Sequence, residues 1–132
     1  MRLFALCLGL LVACGSDEAT PPPIDASLAP SISATPNPST IAPGGTVVLT
    51  VTTTNFTFID PNPAPAPKAG EGHYHYYLDD AVNYVAAWTP TVGVRTSSTA
   101  APGVHMIRLV LVTSAHVEVT PPVETTVTFM IQ

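Results

Sequence analysis

An all-β antiparallel sandwich of about seven strands follows from three features of this 132-residue sequence. Charged residues make up only 10% of it, while Thr, Val, Ala and Pro are abundant, a composition that suits strands better than helices. Short segments with period-two apolar alternation recur between turns built on Gly and Pro. No stretch places apolar residues at helical spacing.

Ser31-Ile32-Ser33-Ala34 is a weak first strand, and Pro36 and Pro38 assign it to a sheet edge, where a missing N–H donor does no harm. Pro43-Gly44-Gly45 makes a turn into Thr46–Thr54, which directs Val47, Leu49 and Val51 inward. Phe56 and Phe58 have the opposite parity, so the chain must bend or bulge between residues 53 and 55. The alternating prolines of Asp60 to Pro67 cannot sit inside a sheet and define a long loop. That loop delivers the chain into Gly70-Glu71-Gly72 and then a strand, His73-Tyr74-His75-Tyr76-Tyr77-Leu78.

Asp79-Asp80 turns the chain into Val82–Trp88, a strand expected to carry Tyr84, Ala86 and Trp88 on one face. Thr91 to Thr96 is a short strand, and Pro102-Gly103 opens Val104–Thr113, the most apolar one, with His105, Ile107, Leu109 and Leu111 inward and Arg108 outward. After Pro121-Pro122, a last strand alternates Val123, Thr125, Val127, Phe129 and Ile131 with Glu124, Thr126 and Thr128. This number of strands in roughly 100 residues matches an immunoglobulin-like sandwich.

The N-terminus carries an address. Met1-Arg2 is basic, Leu3 to Val12 is apolar but shorter than the ~20 residues a membrane span needs, and Leu11-Val12-Ala13-Cys14 follows. This tetrapeptide resembles the lipobox of bacterial lipoproteins, which implies cleavage after residue 13 and a lipid on Cys14. On that expectation residues 1–13 are a signal peptide, residues 14–30 are the lipidated cysteine and a Pro-rich tether, and residues 31–132 are the sandwich domain. Ile24 and Leu28 leave open that the tether docks as an edge strand. Asp17 would be the fourth mature residue, so no retention signal stands at the second, which points to the outer membrane of a bacterial cell envelope. Cys7 would leave with the signal and Cys14 would be acylated, so no disulfide is expected despite export.

Without Arg2 the chain keeps Lys68, Arg95 and Arg108 against nine acidic residues, three minus nine, a net charge of −6 with neutral histidines. Such a surface repels phosphate backbones, so nucleic acid is excluded as a partner.

Two further resemblances concern the domain. Pro102-Gly103-Val104-His105-Met106-Ile107-Arg108-Leu109 resembles the Pro-Gly-x-Tyr-x-Val-x-Val strand of bacterial immunoglobulin-like and fibronectin-type modules, with His105 where those carry the corner tyrosine. Gly72-His73-Tyr74-His75, with Gly103-Val104-His105 and His116 downstream, resembles an uncharacterised family of bacterial secreted domains. The resemblance spans about Thr46 to Gln132 and implies a sandwich and export, with no activity.

Strand alternation sets His73 and His75 side by side on one face, and Tyr74 and Tyr76 on the other. In the immunoglobulin arrangement their strand pairs antiparallel with Val104–Thr113, so its beginning lies near residues 114–118 and His116 joins the pair. Imidazole suits Cu(II) and Zn(II), so His73, His75 and His116 are the candidate ligands, with Glu71 or Glu118 as an accessory oxygen donor. The competing reading is a structural His pair that holds the proline-rich loop. His105 lies far from His116 and is expected to be a structural corner, bonded to a backbone carbonyl.

No serine stands in a nucleophile elbow, no free cysteine remains, and Asp79-Asp80 suits a turn, so no enzyme is expected. The sequence is read as a non-catalytic binding or interaction module. Its alternatives are a structural envelope module, or a carbohydrate binder using Tyr84 and Trp88, so an envelope protein or a glycan is the expected macromolecular partner.

Overall fold

The computed structural model describes residues 28–132. The expected signal peptide, Cys14 and most of the tether lie outside the described residues.

Among the described residues nine strands follow in chain order: β1 (Ser31–Asn37), β2 (Thr40–Ile41), β3 (Thr46–Thr54), β4 (Thr57–Phe58), β5 (Glu71–Leu78), β6 (Val85–Ala87), β7 (Thr91–Arg95), β8 (Gly103–Thr113) and β9 (Glu124–Ile131). They form a three-stranded sheet in the order β1-β3-β7 and a six-stranded sheet in the order β2-β9-β8-β5-β4, with β6 also on β5. The two sheets make a β-sandwich of the expected immunoglobulin-like kind. The long strands pair antiparallel, whereas the two-residue pieces β2 and β4 run parallel to β9 and β5. These short pieces lengthen the sheet at its two edges.

The inward set of β3 is as the alternation required, with Val47, Leu49 and Val51 buried against Tyr74, Ile107, Leu109, Leu111, Phe129 and Ile131. β1 occupies the edge of its sheet, its Pro36 opposite Leu49. The expected change of parity falls at Asn55, whose φ of 54° turns the chain into β4. Asp60–Lys68 contains no strand, and the loop is clasped at its ends, where Thr57 N–H donates to Gly70 O and Ile59 N–H to Gly72 O.

One element differs from expectation. Instead of a strand over Val82–Trp88, only Val85–Ala87 pairs with β5. Asp79 and Asp80 take positive φ, 51° and 52°, in a tight turn closed by Ala81 N–H on Leu78 O. The Asp79 carboxylate accepts from Met106 N–H, and Asp79 N–H donates to Met106 O, so the turn is pinned to β8 and the chain rejoins β5 only at Val85. Trp88 therefore lies beyond the end of β6 and does not share a strand face with Tyr84.

Gly72 is required where β5 meets β8. A Cβ on it would stand 2.9 Å from the Phe56 ring and closer still to Val112 O, a backbone atom that cannot step aside. Gly72→Ala is expected to cost about 1–3 kcal/mol by overpacking, measured as a lower urea midpoint with an unchanged slope.

Candidate metal centre

The site is built on the outer face of the six-stranded sheet. Tyr74 points into the sandwich, where its hydroxyl donates to Thr89 O at 3.0 Å and burial, with Tyr76 nearby, raises its pKa to about 12. Its neighbours His73 and His75 must then point outward. They are nonetheless buried, at 0% and 3% exposure. Their cross-strand partners on β8 are Val112 and Val110, both buried, which place apolar side chains beside the two imidazoles.

The lid comes from the turn after β8. Thr113 N–H donates to Val117 O, His116 N–H to Thr113 O and Val117 N–H to Thr113 Oγ1, closing a three-residue turn. His116 occupies its left-handed position, with φ of 59°, where glycine or asparagine is the usual choice. The turn thus carries a side chain at a position that glycine adopts at least cost, and aims its imidazole back over β5.

Three ring nitrogens converge. His73 Nε2 lies 3.2 Å from His75 Nε2 and 3.2 Å from His116 Nδ1, and the last two are 3.0 Å apart. A ring nitrogen of neutral imidazole is either a donor or an acceptor. In a triangle of mutual contacts at least two members are alike, so at least one contact sets lone pair against lone pair or hydrogen against hydrogen. Hydrogen bonding alone leaves the cluster frustrated, whereas one cation takes all three lone pairs.

The dimensions fit such an ion. With these separations, a metal about 2.05 Å from each nitrogen stands about 1 Å out of their plane, with N–metal–N angles of roughly 100°. That is near the tetrahedral angle of zinc. Burial and then the neighbouring His116 push His73 down to about 4, and burial, His73 and His116 do the same to His75. Both are therefore neutral at pH 7, the form that ligates metal. The Nδ1 of His73 and the hydroxyl of Ser114 are buried without a hydrogen-bond partner. His73 thus lacks the acceptor to which a metal-bound imidazole usually gives its other N–H.

The structure brings together His73, His75 and His116, and these three can hold a metal ion. Among the described residues no carboxylate oxygen joins the group within 4.8 Å, so neither Glu71 nor Glu118 stands with the three histidines here. Glu71 is paired with Lys68, and both glutamates line a separate cavity of about 440 Å³ with Phe56 and Val119. Glu71 shares the strand parity of His73 and His75, but Lys68 and the loop end draw its carboxylate to that cavity.

His105 stands apart from this group. Its Nε2 donates to Ala101 O and its Nδ1 to Asp79 Oδ2, each at 2.8 Å. Two acceptors on two nitrogens favour the imidazolium, so the Asp79 and Ala101 contacts raise its pKa. It ties the start of β8 to the Asp79-Asp80 turn.

Tyr84 is the residue whose role the sequence did not disclose. Its ring stacks on His75 with centroids 3.6 Å apart and planes 7° from parallel. The only signal was its place across the turn from Tyr77, and the irregular residues 81–84 hid that register. Tyr84 and Trp88 are both partly exposed, at 46% and 38%. The Tyr77 and Tyr84 rings are inclined at 65°, so they form no flat platform.

These shifts set the acid behaviour of the metal-free protein. Between pH 6.5 and about 4 the unfolded chain binds protons at His73 and His75 that the folded chain does not. Stability must fall as pH falls through this window. Urea denaturation at pH 7 and pH 4.5 will show a lower midpoint at the acid value, and Asn at both positions will reduce the difference.

No protein-family profile matches the sequence, and no curated protein matches it. Among solved structures the chain is similar to one described under carbohydrate-binding modules from the beta-sandwich superfamily, with a TM-score of 0.54 and 15% identity. The alignment covers 82% of this chain and 36% of that one, so this chain spans about a third of its neighbour's length. At that identity the likeness is one of fold, and it agrees with the sandwich described above.

Proposed function

We propose that this chain is a non-catalytic, exported lipoprotein module that binds a divalent transition metal, Zn(II) in preference to Cu(II), through His73, His75 and His116. The carrying observation is the triangle of ring nitrogens 3.0–3.2 Å apart, which no pattern of hydrogens satisfies and one cation does. Three mutually adjacent nitrogens at roughly 100° suit tetrahedral zinc, whereas Cu(II) favours a square plane with ligands opposite one another. The lipid on Cys14 would hold the site at the envelope, and the Pro-rich segment would set its distance from the membrane.

Calorimetric titration of the purified full chain with Zn(II) tests the reading. Binding at micromolar Kd or tighter is expected, with a loss in His73→Ala and His75→Ala that exceeds the about 10–100-fold produced by removing a ligand's supporting partner. His116→Gly is the informative variant. Glycine suits the positive φ, so this protein should fold at least as stably as the parent and still fail to bind. Retained binding in His116→Gly would refute the three-histidine site.

A second reading rests on the exposed Trp88, which lines a shallow depression with Ala86, Ala87 and Thr89, and on the fold shared with carbohydrate-binding modules. Trp88 is the chain's single tryptophan, so its emission reports on that place alone. A saturable emission change with oligosaccharides, lost in Trp88→Ala, would support glycan binding. An unchanged spectrum would reject it.

A further inference from the structure

Resting on the metal-binding reading, we infer that the ion held by His73, His75 and His116 keeps an exchangeable coordination position and uses it to take a carboxylate or similar monodentate anion from outside the chain. Three independent features lead there. The first is angular. Nitrogens subtending roughly 100° at the metal occupy one side of it, and a tetrahedral ion then has its fourth direction pointing away from all three. Among the described residues no further histidine, cysteine or carboxylate lies close enough to fill that direction.

The second is access. His73 and His75 are buried, but His116 is exposed and belongs to a surface turn, so the cluster is closed on the sheet side and reached from the turn side. Tyr84, stacked on His75 and half exposed, adds an apolar wall beside the approach.

The third is charge. Three neutral imidazoles leave the ion's two positive charges uncompensated, and a partly desolvated dication favours an anionic fourth ligand strongly. The nearest carboxylates in sequence do not serve. Glu71 is held by Lys68, and Glu71 and Glu118 line the neighbouring cavity. Among the described residues no side chain brings the missing negative charge to the ion, which leaves it to a ligand from outside. Proteins whose metals are purely structural close the fourth position with their own side chains, and among the described residues none does so here.

Cobalt(II) makes the position visible, because its visible absorption depends on the ligands and their number. The full chain loaded with Co(II) is titrated with azide and with acetate, beside a Glu71→Gln/Glu118→Gln double variant, while Zn(II) affinity is followed by calorimetry. The expected result is a saturable shift of the Co(II) bands with both anions, with midpoints in the double variant within about twofold of the parent. Bands that stay fixed at saturating anion, with Co(II) demonstrably bound, would overturn the inference and leave the metal-binding reading standing. A shift seen only in the double variant would also overturn it, by showing that the chain's own carboxylate fills the position. Absence of both Co(II) and Zn(II) binding would overturn the reading and the inference together.

Discussion

Everything at the candidate site depends on the register between β5 and β8, in which Gly72 faces Thr113, His73 faces Val112 and His75 faces Val110. Side chains in a strand alternate with a period of two, so a slip of one residue would turn both histidines into the core and both tyrosines out of it. The register is secured from both faces. Inside, Tyr74 packs with Leu111 and Leu109 and anchors its hydroxyl on Thr89. Outside, Val110 and Val112 are buried beside the imidazoles. Gly72 allows the approach because any side chain there would run into the carbonyl of Val112.

The same pairing explains why His116 arrives. β8 continues two residues beyond the centre of the His pair and turns at Ser114 to His116, so the turn residue that projects back lies above β5. A histidine with positive φ opposes stability at any pH, and two buried imidazoles that resist protonation oppose it below about pH 6.5 in the absence of a ligand. An unpartnered ring nitrogen adds to that cost. Such expenses gathered at one spot of an otherwise regular sandwich mark it as the place where stability has been exchanged for chemistry.

His105 shows how strongly the environment decides what an imidazole does. On the same sheet, but near solvent and between Asp79 and Ala101, it gains from carrying a second proton and serves as a strut at the start of β8. His73 and His75, walled by valines and each other, are kept neutral. Two histidine environments on one sheet thus have opposite preferences for charge, set by the number of acceptors and the access of water.

Alternation and turn chemistry by themselves determined the sandwich, its inward residues, a bend between residues 53 and 55, the proline-rich loop and the pairing of His73 with His75, because these depend on local geometry and on a period of two. Strand order in an immunoglobulin-like fold was enough to bring His116 to them. It was not enough for the rest. Whether Glu71 turned to the histidines or to Lys68 depended on where the loop end came to rest. The stacking of Tyr84 on His75 depended on an irregular segment that Asp79 ties to β8 and not to β5. The separations of 3.0–3.2 Å that make three nitrogens a metal-sized cluster depended on three elements meeting at once. Only the tertiary structure decided these, since the contacts of a side chain are fixed by packing among residues distant in sequence, and sequence spacing constrains the strand it stands on but not the neighbours it meets.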